Sequence, residues 1–156
     1  MINLSDLENA IITHLQETFP TFTVESFPSN FENYTFSSAV GCHLVKYNGT
    51  KFSTQETIWA VTQSATVNFS VITGYRGLQN YKEMHTFQTQ LRNALRGFEF
   101  LGKKIILGNE EFLSEINSDL YMGLQFSIEL FETENDNEPT IINEEQEDEE
   151  NDNILV

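Results

Sequence analysis

Eleven of the chain's 24 acidic residues fall between Glu132 and Val156, a stretch without a single Lys or Arg. So charged and apolar-poor a segment cannot offset the entropy of ordering it. Any core must therefore come from residues 1–131, which hold the other thirteen acids and all eight bases, a net charge of about −5 that is ordinary for a soluble surface. We expect one domain over 1–131 and a disordered acidic tail over 132–156, with Ile141-Ile142 and Ile154-Leu155-Val156 as short apolar islands in it. A domain of this size folds without staples. The lone cysteine, Cys42, lies among apolar neighbours and reads as a buried spectator thiol.

Hydrophobic spacing gives the element order. Leu7, Ile11 and Leu15 form a helical stripe that ends near Phe19-Pro20, and Ser5 with Glu8 reads as a capping box at its start. Phe22 and Val24 alternate with polar residues as a strand running toward Pro28, and the aromatic residues of Ser29 to Phe36 read as a loop whose rings dock on something. Ala39 to Tyr47 is a strand with Val40, Cys42 and Leu44 on one side, followed by an Asn48-Gly49 turn. Thr57 to Tyr75 is too long for one ordinary strand. It is expected to begin as a protruding arm and to enter the core near Ser64, which makes Lys46 to Thr57 a protruding hairpin.

A second helix from about Asn80 carries Met84, Phe87, Gln88, Leu91, Ala94 and Leu95 at intervals of three and four, and stops at Gly97. A short strand over Lys103 to Leu107 and a long one over Leu120 to Phe131 follow, the latter with Leu124, Phe126, Ile128 and Leu130 as its buried row. The expected fold is α+β: a mostly antiparallel sheet with two helices on one face. Thirteen Phe and an uncovered second face favour a partner over open water.

Signatures of chemistry are missing. The glycines form no phosphate-binding pattern, and Gly74 and Gly77 around Arg76 read as a plain strand-to-helix connection. His14, His43 and His85 stand apart from carboxylates at helical spacing and read as surface or boundary residues rather than metal ligands. No nucleophile motif occurs. Eight bases against 24 acids argue against a phosphate-binding surface, although Arg92 and Arg96, on one helix face, are placed to meet an acidic neighbour. Neither a secretory leader nor an apolar run long enough for a membrane span is present, so a cytosolic protein with no membrane partner is expected.

The segments AVGCHLVKYNGTKFS, a V-x-F-x-V strand running into Y-R-G-L, and a helix ending L-R-N-A-L-R-G-F together resemble the tail-terminator, or tail-completion, proteins of long-tailed bacteriophages of the Mu-like type. The nearest echoes are Val45 to Phe52 and Ala94 to Phe98, and the resemblance spans about Leu4 to Phe131. It implies a structural protein without catalytic residues, cofactor or metal: a ring of copies, typically six, that caps the tail tube and joins the tail to the neck. The partners implied are the chain itself, the tube protein, neck or connector proteins and sheath proteins, with DNA only as passing cargo. The implied location is the virion tail and neck, after assembly in the host cytoplasm.

On that reading Tyr47, Asn48, Gly49, Thr50, Lys51 and Phe52, together with Arg76, Arg92 and Arg96, are the expected subunit or tube contacts. The alternatives are another neck or tube-cap component of a contractile injection machine, or an acidic DNA mimic that inhibits a nucleic-acid enzyme. A mimic needs its acids on a rigid surface, whereas the excess here lies in the tail.

Overall fold

The computed structural model describes residues 2–53, 62–77 and 81–133. The chain order is α1 (Leu4–Thr18), β1 (Thr23–Ser26), a short 3-10 turn (Phe31–Asn33), β2 (Gly41–Phe52), β3 (Thr62–Tyr75), α2 (Tyr81–Arg96), β4 (Glu99–Phe100), β5 (Lys103–Ile116) and β6 (Asp119–Thr133). The strands form one sheet in the order β1-β2-β3-β6-β5-β4. All neighbours are antiparallel except β1 and β2, which run parallel. The fold is α+β, as the periodicities imply. Residues 54–61, which hold the start of the expected protruding arm, and nearly all of the 132–156 segment lie outside the described residues.

Leu7, Ile11 and Leu15 are fully sequestered, so the four-residue spacing of α1 does what an amphipathic stripe must. Its cap is not the expected Ser5 and Glu8 pair. Asn3 is the N-cap, its side chain accepting from the Asp6 N–H at 3.1 Å. Ser5 lies inside the helix, and the Glu8 carboxylate accepts from the Ser26 hydroxyl instead, tying α1 to the end of β1. Phe19 closes the helix, and Pro20 has no N–H with which to extend it.

The middle of the sheet is β3 on β6. Val67, Phe69 and Val71 lie opposite Ile128, Phe126 and Leu124, and all six are buried. Both helices pack over this row, α2 through Met84, Leu91 and Leu95. The other face of β3 and β6 is polar, with Ser64, Thr66, Asn68, Gln125 and Ser127 at the intervening positions, as period-two alternation requires.

Part of that second face is covered by the chain itself. The link from β1 to β2 crosses it and lays Phe36, with Phe27, Phe31 and Tyr34, over Cys42, Leu44 and Ile72. Phe31 also meets Tyr121 edge-on at 5.3 Å between centroids. The rings expected to dock on something therefore dock on their own sheet. Cys42 is buried as expected, and burial pushes its thiol up to about 12.

Two strand boundaries differ from the sequence reading, for one reason. Asn48-Gly49 is not a turn: β2 continues to Phe52, and the register slips by one residue between Tyr47 and Gly49. Likewise β5 does not stop at Leu107 but runs to Ile116, with a slip between Leu107 and Glu110. Both are β-bulges, in which one extra residue is absorbed without ending the strand. Bulges and turns draw on the same Gly and Asn chemistry. The true turn after β5 is Asn117-Ser118, both at positive φ.

His43 also departs from expectation. It is fully buried, stacked on Phe22 with centroids 4.5 Å apart and meeting Phe19 edge-on. Its Nδ1 is 2.8 Å from the Thr73 hydroxyl oxygen, while Nε2 has no partner among the described residues. Burial lowers its pKa to about 3. Between the ordinary value near ~6.5 and that figure the unfolded chain binds a proton that the folded chain refuses, so stability is lost as pH falls through this window, by about 1.4 kcal/mol per unit. Urea unfolding at pH 7.5 and pH 5 should show a drop of about 2 kcal/mol, largely abolished in His43→Phe. An unchanged drop in the variant means that other groups carry it.

Candidate functional site

The residues singled out on β2 form the stem of the hairpin with β3. Val45, Tyr47, Thr50 and Phe52 lie opposite Val71, Phe69, Val67 and Ala65, which places them on the helix-bearing face. Tyr47 and Phe52 remain 39% and 51% exposed, because α1 begins beside them rather than over them. The Tyr47 ring meets Phe69 at 5.6 Å, and its hydroxyl shares a 2.6 Å hydrogen bond with that of Thr50. With Ile2, Leu4 and Val67 these side chains line an apolar depression of about 230 Å³. A second of about 180 Å³ adjoins it, sharing Leu4 and Tyr47 and edged by Glu8.

The bulge organises this stem. Gly49 has φ of +119°, and a β-carbon built on it would meet nothing within 4 Å among the described residues, while the Asn48 amide donates across the other face to the Ser70 hydroxyl. The one-residue slip brings Thr50 and Phe52 onto the same face as Tyr47, so the aromatic pair exists because the bulge exists. Lys51 is exposed and pairs with Thr66. Gly49→Ala leaves ample space but forces a β-carbon into a backbone region that L-residues avoid, and should cost about 1–2 kcal/mol in urea unfolding. An unchanged midpoint would show that the bulge relaxes without cost.

The arginines do not converge on this stem. Arg76 follows β3 at the opposite end of the sheet, its guanidinium 4.1 Å from the Phe36 ring centroid and donating to the Phe36 carbonyl at 2.8 Å. It anchors the aromatic loop. Arg92 meets its acidic neighbour within the chain: its Nε donates to Glu110 Oε1 at 3.0 Å, and the same carboxylate draws the Arg92 guanidinium pKa upward. Arg96 is exposed in the last turn of α2, where a cation suits the helix dipole.

Around Glu110 the structure assembles a polar chain that residue spacing did not reveal. The Tyr75 hydroxyl donates to Gln88 Oε1, the Gln88 amide donates to Glu110 Oε2, and Arg92 closes the series on Oε1. Tyr75 and Gln88 are buried, and burial pushes the Tyr75 phenol well above its ordinary value, with Glu110 adding to the shift. The chain links β3, α2 and β5. Glu110→Ala leaves the buried Gln88 amide without its acceptor and should cost about 1–3 kcal/mol, read as a lower urea midpoint. A neutral result would mean that Gln88 finds a new partner.

Two further depressions lie among the described residues. The cleft of about 390 Å³ between the aromatic loop and the β5–β6 turn is lined by Tyr34, Phe36, Arg76, Asp119 and Tyr121 among others. The depression of about 370 Å³ on the polar face presents Asn48, Asn68, Gln125 and Ser127 beside Ile106 and Gly108. Gly74 packs within the sheet, where a β-carbon would come within 2.7 Å of the Tyr121 ring. Among the described residues, no three His, Cys, Asp or Glu side chains group as metal ligands would, and no helix is long and apolar enough to cross a membrane.

What the site offers is surface: an exposed aromatic stem on a long hairpin, and a sheet face without helices. A family model described as Gp37 protein matches residues 11–147. This chain belongs to the Gp37 protein family. Gp37 proteins are phage proteins, and the match covers every strand of the sheet, most of α1 and all of α2. It continues past β6 into the acidic segment as far as residue 147. No curated protein matches the chain.

Proposed function

We propose that this Gp37 protein is a tail terminator: a structural protein, not an enzyme, whose copies close into a ring of six that caps the tail tube and joins it to the neck. The observation that carries the reading is the β2–β3 stem, which presents Tyr47 and Phe52 beside the apolar start of α1 in a phage protein. Exposed aromatic side chains beside an apolar hollow are the anchors that protein interfaces use. A ring requires heterologous contacts, in which a projecting element of one copy meets a different surface of the next. A long hairpin next to a hollow suits that geometry, and tube protein is the second surface it would meet.

The resemblance of Val45 to Phe52 and Ala94 to Phe98 to Mu-like tail terminators supports the same reading. Neck, connector and sheath proteins are the further neighbours, and the virion tail is the place of action. DNA passes through such a ring as cargo. The polar face of β3 and β6, with Asn68, Gln125 and Ser127, carries few cations to which a passing duplex would adhere.

The stem is part of a continuous strand, so removing Asn48 to Lys51 would disturb the register of β2. A point change at an exposed ring is the cleaner probe. Phe52→Glu should leave the far-UV circular dichroism unchanged and abolish ring-capped tube ends when the protein is mixed with tube protein and viewed by negative-stain microscopy. Normal capping by the variant, or a wild-type chain that ignores tube ends, overturns the assignment.

A further inference from the structure

β5 is bonded to β6 along its inner side, whereas on its outer side β4 reaches only Lys103 and Lys104. Among the described residues nothing pairs with the outer side of Ile105 to Ile116. An open edge of that length is a template for another strand. It is also apolar where it should be defended: Ile106 is 63% exposed, Phe112 58% and Leu113 42%.

We propose that two copies of this chain pair through the outer edges of β5, antiparallel, about a two-fold axis between Asn109 and Glu110. In that register Leu107 of each copy lies opposite Phe112 of the other, and Ile106 lies opposite Leu113. Residues directly opposite in an antiparallel pair share a face, so the register demands that Leu107 and Phe112 point the same way. They are five positions apart, which in a regular strand would put them on opposite faces. The bulge between Leu107 and Glu110 removes the conflict: Leu107 pairs with Phe126 and Phe112 with Met122, both on the helix-bearing face. Ile106 pairs with Ser127, and Leu113 lies against Gly123, both on the other face. The irregularity makes the edge complementary to itself.

Charge selects the direction. β5 begins with Lys103 and Lys104 and carries Glu110, Glu111 and Glu115 in its second half. Antiparallel pairing sets Glu111 and Glu115 of the two copies apart, on opposite sides of the axis, whereas parallel pairing sets like against like. Lys103 and Lys104 stay with their own copy: β4 pairs with both, Lys104 meets Glu99 at 3.3 Å and Lys103 lies over the Phe131 ring. The Glu110 carboxylates nearest the axis are each occupied by Arg92 and Gln88 of their own copy, which tempers repulsion there. Such a contact is isologous and cannot close a ring. It is a different surface from the hairpin stem and stands whether or not the ring reading does.

Cross-linking between separately purified full-length variants tests the register. Cys42 is buried and does not compete. Mixing Ile106→Cys with Leu113→Cys under mild oxidation should give about tenfold more covalent dimer than either variant alone, and sedimentation of the unmodified chain should show a dimer that Phe112→Lys weakens by about tenfold or more. Leu113→Lys repeats the second measurement at another exposed position. A chain that stays monomeric at all concentrations, or cross-links that form equally in the single variants, overturns the proposal. So does preferential cross-linking of Ile106→Cys to Ser26→Cys, since that places β5 against β1 of the next copy. Ring capping of tubes without the 106–113 cross-link overturns this pairing and leaves the ring reading standing.

Discussion

Everything in this fold is registered against the ladder between β3 and β6. Fourteen residues of β3 pair without interruption from Thr62 to Tyr75, and their odd-numbered positions supply the floor on which both helices sit. Because side chains alternate strictly along an uninterrupted ladder, one slip here would turn Val67, Phe69 and Val71 to the polar face and expose the row that Leu124, Phe126 and Ile128 complete. That penalty locks the centre, and the irregularities are displaced outward to β2 and β5.

β2 carries one register slip facing the regular centre and β5 two, and the slips at Gly49 and between Leu107 and Glu110 shape surface rather than core. The one at Gly49 returns Thr50 and Phe52 to the face of Tyr47 and creates the aromatic stem. The one between Leu107 and Glu110 turns Phe112 to the face of Leu107 and aims Glu110 at α2, where Gln88 and Arg92 hold it. A strand that would otherwise present its acid to solvent thereby acquires a link to the buried Tyr75 hydroxyl. The chain shows stability and surface patterning drawn from the same local device.

In this phage protein the division separates a regular centre from a variable outer surface. A rigid centre fixes the positions of two outer strands, and the outer strands carry the exposed rings and the open edge. The aromatic link between β1 and β2 adds to it by covering only one end of the helix-free face, where Arg76 clasps Phe36, and leaves the Asn68, Gln125 and Ser127 end polar and open.

Periodicity was enough to find both helices, their buried stripes and the row from Leu124 to Leu130, because those patterns are local and each apolar residue needs only to know its neighbours in the chain. The same holds for Gly97 as a helix stop and for Cys42 as a buried thiol. Asn48-Gly49 was illegible as a bulge, since a glycine at positive φ beside an Asn serves a turn and a bulge equally until a partner strand shows whether pairing resumes. His43 looked like a boundary residue because the aromatic rings that enclose it, Phe19 and Phe22, come from the end of α1 and the segment that follows. Arg92 looked free to meet another molecule because Glu110 is brought to it by β5, eighteen positions away. The sequence by itself determined which residues alternate and which recur at helical spacing; the tertiary structure decided which strand edges stayed open and which polar groups found each other, because pairing between distant segments depends on register that no local pattern encodes.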